Sequence, residues 1–221
     1  MKNKVLAVYA RLFKHFGPQG WWPAETPFEV IVGAILTQST SWKNVERAIG
    51  NLKLEGLLSV KGLHAVNERK LARLIKPALY YNVKARKLKA FMAFLQDSYG
   101  NDLHALFSQP VGKLRKELLS VWGVGPETAD SILLYAAGKP SFVVDAYTKR
   151  IFHRLGLLEE NPSYDSVKHF FEASLPKNVA LYQEYHALIV ELAKKYCKSK
   201  PACRECCVRS FCNTGIQAIK P

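Results

Sequence analysis

The sequence predicts an all-α protein, and three features carry that expectation. Apolar residues recur at three- and four-residue spacing from Val5 to Tyr196, the period of helices with one buried face. The clearest Gly/Pro clusters, Gly17-Pro18-Gln19-Gly20 and Gly138-Lys139-Pro140, fall between those stretches and end helices. No run alternates apolar and polar residues over the length of a strand.

Taken in order, Lys4–Phe16 is an amphipathic helix with Val5, Leu6, Tyr9, Leu12, Phe13 and Phe16 on one side. Trp21-Trp22-Pro23 follows, two indoles in a loop. Pro27 suits a first helical position, and Phe28–Leu36 is almost wholly apolar, as a central helix would be. After Thr37-Gln38-Ser39-Thr40, Ser41 can cap a helix over 42–52. Helices are expected at 57–63, 68–75, 83–99, 102–107 and 111–121. Gly123-Val124-Gly125 then turns the chain, because glycine takes φ > 0 at little cost. Pro126 opens a helix carrying Ala129, Ile132, Leu133 and Ala136. Beyond Val143-Val144-Asp145, helices are expected at 146–155, 164–175 and 180–196, with Ser163 and Asp165 as caps for the second.

With 48% hydrophobic and 23% charged residues, the chain is globular and not disordered. Its 32 Lys and Arg against 18 Asp and Glu give a net charge of +14. That suits a polyanionic partner, since neutralised phosphates release counterions; a solvated basic surface has the same signature. No apolar run is long enough to span a membrane, and Lys2 to Lys14 lacks the pattern of a signal peptide. The expectation is no membrane association and an intracellular protein, cytoplasmic and nucleoid-associated if prokaryotic.

Two constellations carry chemistry. The first is the helix–Gly-X-Gly–helix of 114–136, whose second helix starts with free amides able to hold phosphate, followed by Asp145. Alone, Gly-X-Gly is equally a tight turn between helices. The second is Cys197-x5-Cys203-x2-Cys206-x5-Cys212, with Cys207 beside it and no cysteine earlier in the chain. Crowded thiols in an intracellular chain read as metal ligands. Spacing leaves zinc and iron–sulfur both open.

Leu119–Asp145, the terminal cysteines, the Pro27–Gln38 helix and Tyr81-Asn82-x-Lys84-Ala85 before a long helix together resemble the helix–hairpin–helix DNA glycosylases of the endonuclease III family. The resemblance covers nearly the whole chain. It implies two all-α lobes flanking a DNA-binding cleft, one of residues 22–138 and one of 1–21 with 139–221. The second ends in an iron–sulfur cluster loop, with a 4Fe–4S cluster on Cys197, Cys203, Cys206 and Cys212. The first cysteine gap is five residues where the family has six, and Cys207 is a possible substitute ligand. The implied partner is double-stranded DNA with a damaged base, flipped out of the stack by a protein expected to be monomeric. Gly123, Val124, Gly125 and Lys84 would contact DNA, and Gln38 would fill the vacated position.

Asp145 matches the family's catalytic aspartate, which stabilises an oxocarbenium-like sugar and helps activate water. Glu127 stands where bifunctional members carry the lysine that forms a Schiff base; a carboxylate cannot. The expectation is therefore a monofunctional glycosylase. The adenine-mismatch branch has a second catalytic glutamate where this chain has Gly33. Trp21, Trp22, Pro23 and Trp42 resemble the base pocket of the 3-methyladenine branch, joined there by Glu127, and electron-rich indoles stack well on a cationic purine. The expected substrates are alkylated purines such as 3-methyladenine. The rivals are a bifunctional glycosylase/lyase for oxidised pyrimidines and a non-catalytic DNA-binding iron–sulfur protein.

Overall fold

A computed structural model describes residues 2–218, and every regular element among them is helical. The helices are α1 (Lys2–Phe16), α2 (Pro27–Leu36), α3 (Trp42–Leu54), α4 (Val60–Ala65), α5 (Glu68–Leu74), α6 (Tyr81–Tyr99) and α7 (Leu103–Ser108). They continue with α8 (Val111–Ser120), α9 (Pro126–Ser131), α10 (Ala146–Arg154), α11 (Tyr164–Ser174), α12 (Val179–Lys195) and α13 (Asn213–Gln217). No helix of these residues is long and apolar enough to cross a membrane. The chain divides into two compact units, cut between Pro23 and Ala24 and between Lys139 and Pro140.

The unit of residues 24–139 is built around α2. Thr26 caps it, its hydroxyl accepting from Glu29 N at 3.1 Å. Every residue from Phe28 to Leu36 is buried, and all but Glu29 are apolar because the helix has neighbours all round, α3, α6, α9 and the turn after α9; Glu29 pairs with Lys53 at 3.1 Å. Each such Val, Leu, Ile or Phe contributes about 1.5–3 kcal/mol when fully buried. Ser41 occupies the N-cap position of α3, though its side chain makes no capping bond.

The second hairpin helix departs from the expected single helix. α9 gives way at Ile132–Ala136 to a wider π-type turn, closed by Ala137 N to Ile132 O at 2.9 Å and by Lys139 N to Leu133 O at 2.8 Å. Gly138 follows at φ 60° and ends it. The wider turn keeps Ile132, Leu133 and Leu134 buried. Lys84 is another departure. It is 2% exposed on α6, and its ammonium donates to Leu36 O at 2.8 Å and Ala78 O at 2.6 Å, tying α6 to the end of α2.

The other unit packs α1 and α10 against α12, with α11 on α1. Its centre is aromatic. Phe142 stacks on Phe171 with centroids 4.1 Å apart, and Tyr182, Tyr185 and Phe152 meet these rings edge-on, the geometry that ring quadrupoles favour. The Tyr185 hydroxyl donates to Val5 O at 2.7 Å, which pins α1 to α12. The segment before Asp145 has no regular secondary structure, with Phe142, Val143 and Val144 buried. Ser163 caps α11 as expected. The short α13 was not anticipated from the sequence.

Burial, and then the nearby Lys87 charge, lower the Lys84 pKa from the ordinary 10.5 to about 8. The folded chain releases that proton before the unfolded chain does, so between pH 8 and 10.5 this group adds stability as pH rises. Urea unfolding across that range should show the increment in the wild type and lack it in Lys84→Met. At pH 7 the variant should be less stable by about 1–3 kcal/mol, because two buried carbonyls lose their donor.

Candidate active site and cysteine loop

Asp145 is the N-cap of α10, held there by extended backbone and its own side chain. Oδ1 accepts from Thr148 N at 2.7 Å and from Thr148 Oγ1 at 2.8 Å. Oδ2 faces His186 Nε2 on α12 at 3.6 Å, an ion-pair distance longer than a hydrogen bond. The two side chains are 13% and 6% exposed. Burial pushes the Asp145 carboxyl up, but the neighbouring His186 and the Thr148 donors outweigh it and hold the group below the usual carboxylate range. The carboxylate is therefore ionised at neutral pH.

The loop before α2 brings indole to the same unit. Trp21 and Trp22, joined by a cis peptide bond, are half-buried with ring centroids 5.8 Å apart. Trp21 lies 5.5 Å from the His186 ring, and the Lys194 ammonium sits over the Trp21 indole, 5.8 Å from its centroid. Pro23 is exposed. Asp145, His186 and Trp21 thus form one contiguous group.

In the unit of 24–139, the hairpin turn is fixed by a polar network. Gly123 sits at φ 84°, and a Cβ there would land on the Lys87 methylene stem. Gln38 Nε2 donates to Gly123 O at 3.1 Å and to Thr128 Oγ1 at 2.9 Å, while Lys87 Nζ bonds Gln38 Oε1. Arg115 of α8 grips Asp130 of α9 bidentately at 3.0 and 3.1 Å, and Asp130 is wholly buried. Val124 is buried, Gly125 is the exposed N-cap of α9, and Glu127 is exposed in its first turn. Trp42 is half-buried at the start of α3. Lys84, grouped above with the DNA-contacting residues, has its ammonium enclosed by carbonyls and works as an internal clamp.

The cysteine loop follows α12. Cys197, Cys203, Cys206 and Cys212 line one pocket together with Ile151, Leu192 and Val208. The neighbouring Cys206 thiol lowers the pKa of Cys207, which does not line that pocket. Burial raises the Cys203 and Cys212 thiols, and the Cys207 contact followed by burial raises Cys206. Among the described residues, no three Cys, His, Asp or Glu side chains converge closely enough to hold a single metal ion. The loop is bound to α10: Arg150 donates to Cys197 O at 3.0 and 2.8 Å, and Arg154 donates to Cys197 Sγ at 3.3 Å and Lys198 O at 2.6 Å. Cys212 Sγ donates to Arg154 O at 3.1 Å.

His186, Thr148, Lys87 and Thr128 were missed in the sequence. Thr148 had a signal, since an N-cap carboxylate bonds the residue three positions on. A histidine inside an apolar helix has none, because most such residues are ordinary core.

Residues 32–177 match the family described as HhH-GPD superfamily base excision DNA repair protein. Over 209 residues the chain is 54% identical to the Methanocaldococcus jannaschii protein named "Putative DNA repair glycosylase MJ1434", covering 94% of this chain and 95% of that one. A solved structure of the H. pylori 3-methyladenine DNA glycosylase MagIII, bound to 1,N6-ethenoadenine, is 28% identical, with a TM-score of 0.76 over 87% of this chain and 97% of that chain. An endonuclease III–DNA complex matches in fold with a TM-score of 0.85, over 100% and 99% of the two chains, at 23% identity.

The hairpin geometry predicts unequal tolerance of its two glycines. Gly123→Ala, forced to φ > 0 and into the Lys87 stem, should cost about 1–2 kcal/mol by urea unfolding. Gly125→Ala, at φ −92° with open space at its Cβ position, should change stability by no more than about 0.5 kcal/mol.

Proposed function

This chain belongs to the HhH-GPD superfamily of base excision DNA repair proteins, and from that premise we propose that it is a monofunctional DNA glycosylase releasing alkylated purines such as 3-methyladenine. One observation carries the monofunctional reading. The position at which the resembling bifunctional enzymes carry their lysine is Glu127, exposed in the first turn of α9. Without an amine there, no imine with the sugar can form, and water is the nucleophile.

The chemistry then rests on Asp145. Its ionised carboxylate, in partial burial, stabilises the cationic character that develops on the sugar as the N-glycosidic bond breaks. The bonding electrons leave with the base, which neutralises a charged alkylpurine. Water adds to the sugar carbon and gives its proton to the carboxylate or to solvent. Trp21 and Trp22 are assigned to stacking on the base, a contact of about 2 kcal/mol for a desolvated cation. Pro23, Trp42 and Glu127 carry a base-pocket assignment from the resemblance alone, as do Gln38 and the Gly123-Val124-Gly125 amides for DNA. The likeness to the 3-methyladenine glycosylase supports the substrate class.

The four pocket-lining cysteines fit an iron–sulfur cluster. Four thiols lining one pocket suit tetrahedral zinc and a 4Fe–4S cluster alike, and the resemblance to endonuclease III is what favours the cluster. Cys197, Cys203, Cys206 and Cys212 would hold it, with Arg154 donating to one sulfur. Bound, such a cluster cross-links the loop, so its binding free energy becomes folding free energy.

End-labelled duplexes bearing one alkylated purine, one oxidised pyrimidine or one mismatch test the function. Nicks on the alkylated duplex only after hot alkali are expected. Nicks without alkali, or activity confined to oxidised pyrimidine, would refute the reading. Asp145→Asn should abolish base release while duplex binding stays within a few-fold of wild type. Anaerobically prepared protein should carry iron and acid-labile sulfide, and Cys212→Ser should lower both and reduce the unfolding temperature. Stoichiometric zinc in place of iron would overturn the cluster assignment.

A further inference from the structure

Asp145 has one oxygen fixed by its own helix and the other turned toward a buried imidazole. Thr148 saturates Oδ1 with two donors. Both bonds act on one oxygen, and because the terminal torsion of aspartate is broad, a contact on Oδ2 narrows the carboxylate's direction further. His186 stands there, 3.6 Å away, on a helix packed against α10. At 5% exposure the imidazole lies in a setting where charges are screened far less than at the surface. Its ring also packs against Trp21, 5.5 Å between centroids. From the elements packed around it, the ionisable group facing Asp145 is His186, and the Lys194 ammonium stands beyond it on the Trp21 indole.

We propose that His186 is a positioning residue: it holds Asp145 Oδ2 in a fixed direction and links that carboxylate to the Trp21 indole. Its importance for base release rests on the reading of Asp145 as the reacting carboxylate; its hold on Asp145 does not. The 3.6 Å separation becomes a charge-assisted hydrogen bond on closing by a few tenths of an ångström, and such contacts are commonly long in the absence of substrate and tighten in the complex. A cationic transition state needs the carboxylate's charge at one place, and misplacement by about 1 Å costs on the order of 100-fold. The link to Trp21 gives a second consequence. An indole displaced by a bound base pushes on the same imidazole, so base occupancy and carboxylate direction become coupled through one ring.

The test reads Asp145 directly. In protein labelled with 13C at aspartate carboxyls, Asp145 is assigned by its absence in Asp145→Asn and titrated in wild type, His186→Ala and His186→Gln. Removing the imidazole withdraws an influence that lowers the Asp145 pKa, so the titration should move to higher pH in His186→Ala. His186→Gln, whose amide can still donate, should restore part of the shift. Single-turnover release from the alkylated duplex should fall about 10- to 100-fold in His186→Ala, with its acid limb moved upward in the same direction and duplex binding unchanged. The glutamine variant should recover most of the rate. An Asp145 titration unmoved in a folded His186→Ala protein overturns the proposal, and if that variant does not fold, an unmoved titration in His186→Gln does so. Base release surviving in Asp145→Asn would refute the functional reading instead, leaving the carboxyl titration to decide the positioning on its own.

Discussion

A carboxylate drawn out of water must be compensated where it stands, and around Asp145 that constraint organises half of the molecule. Its charge is met by the start of α10, where an N-cap carboxylate satisfies donors that the helix leaves unpaired. The helix therefore has to be present, and to start at Ala146, for the carboxylate to exist in this form. The far end of α10 is held by the cysteine loop through Arg150 and Arg154. Nine residues, about 13 Å of helix, thus run from the candidate catalytic group to the candidate cluster. α12 packs along this helix, supplies His186 from its middle and leads into Cys197 at its C-terminal end. Folding of the loop and placement of the carboxylate are mechanically one problem.

The unit of 24–139 meets the opposite problem, an excess of backbone polar groups at a tight turn. The hairpin carbonyl at Gly123 is taken by Gln38, whose own oxygen is taken by Lys87. Lys84, one helical turn earlier, closes two more carbonyls. Two lysines on α6 that read as surface charge are in this way spent on internal geometry, and only part of the chain's positive charge remains for a polyanion. Arg115 and Asp130 hold the hairpin arms from behind. A buried pair of this kind adds little net stability over apolar residues, but losing one partner costs about 3–5 kcal/mol.

The sequence made the architecture legible where local chemistry and global fold agree. The almost wholly apolar α2, the Gly123 turn, Pro126 at a helix start and Asp145 at another are each dictated within four or five residues. What escaped was non-local. Lys84 is separated by 48 residues from the Leu36 carbonyl it serves, and nothing near it in the chain distinguishes a buried ammonium from an exposed one. His186 lies on a helix whose apolar pattern is complete without it, and Asp145 reaches it only through tertiary packing. The π-turn at Ile132–Ala136 has no residue signature, since a buried apolar run of that kind also sits in a regular helix, as α2 shows.

The electrostatic state of Asp145 bears on which bases the proposed enzyme can release. A carboxyl held below the usual range is ionised at neutral pH and is a poor general acid, since a proton donor works best with a pKa near the operating pH. Enzymes that expel neutral bases need such a donor or an amine nucleophile, and Glu127 offers no amine. A base that already carries positive charge needs neither, because cleavage neutralises it. The same charge rewards stacking on indole, which Trp21 and Trp22 present beside the carboxylate's own histidine. Anionic carboxylate, absent amine and paired indoles are the features on which the proposal of a cationic purine as the leaving group rests.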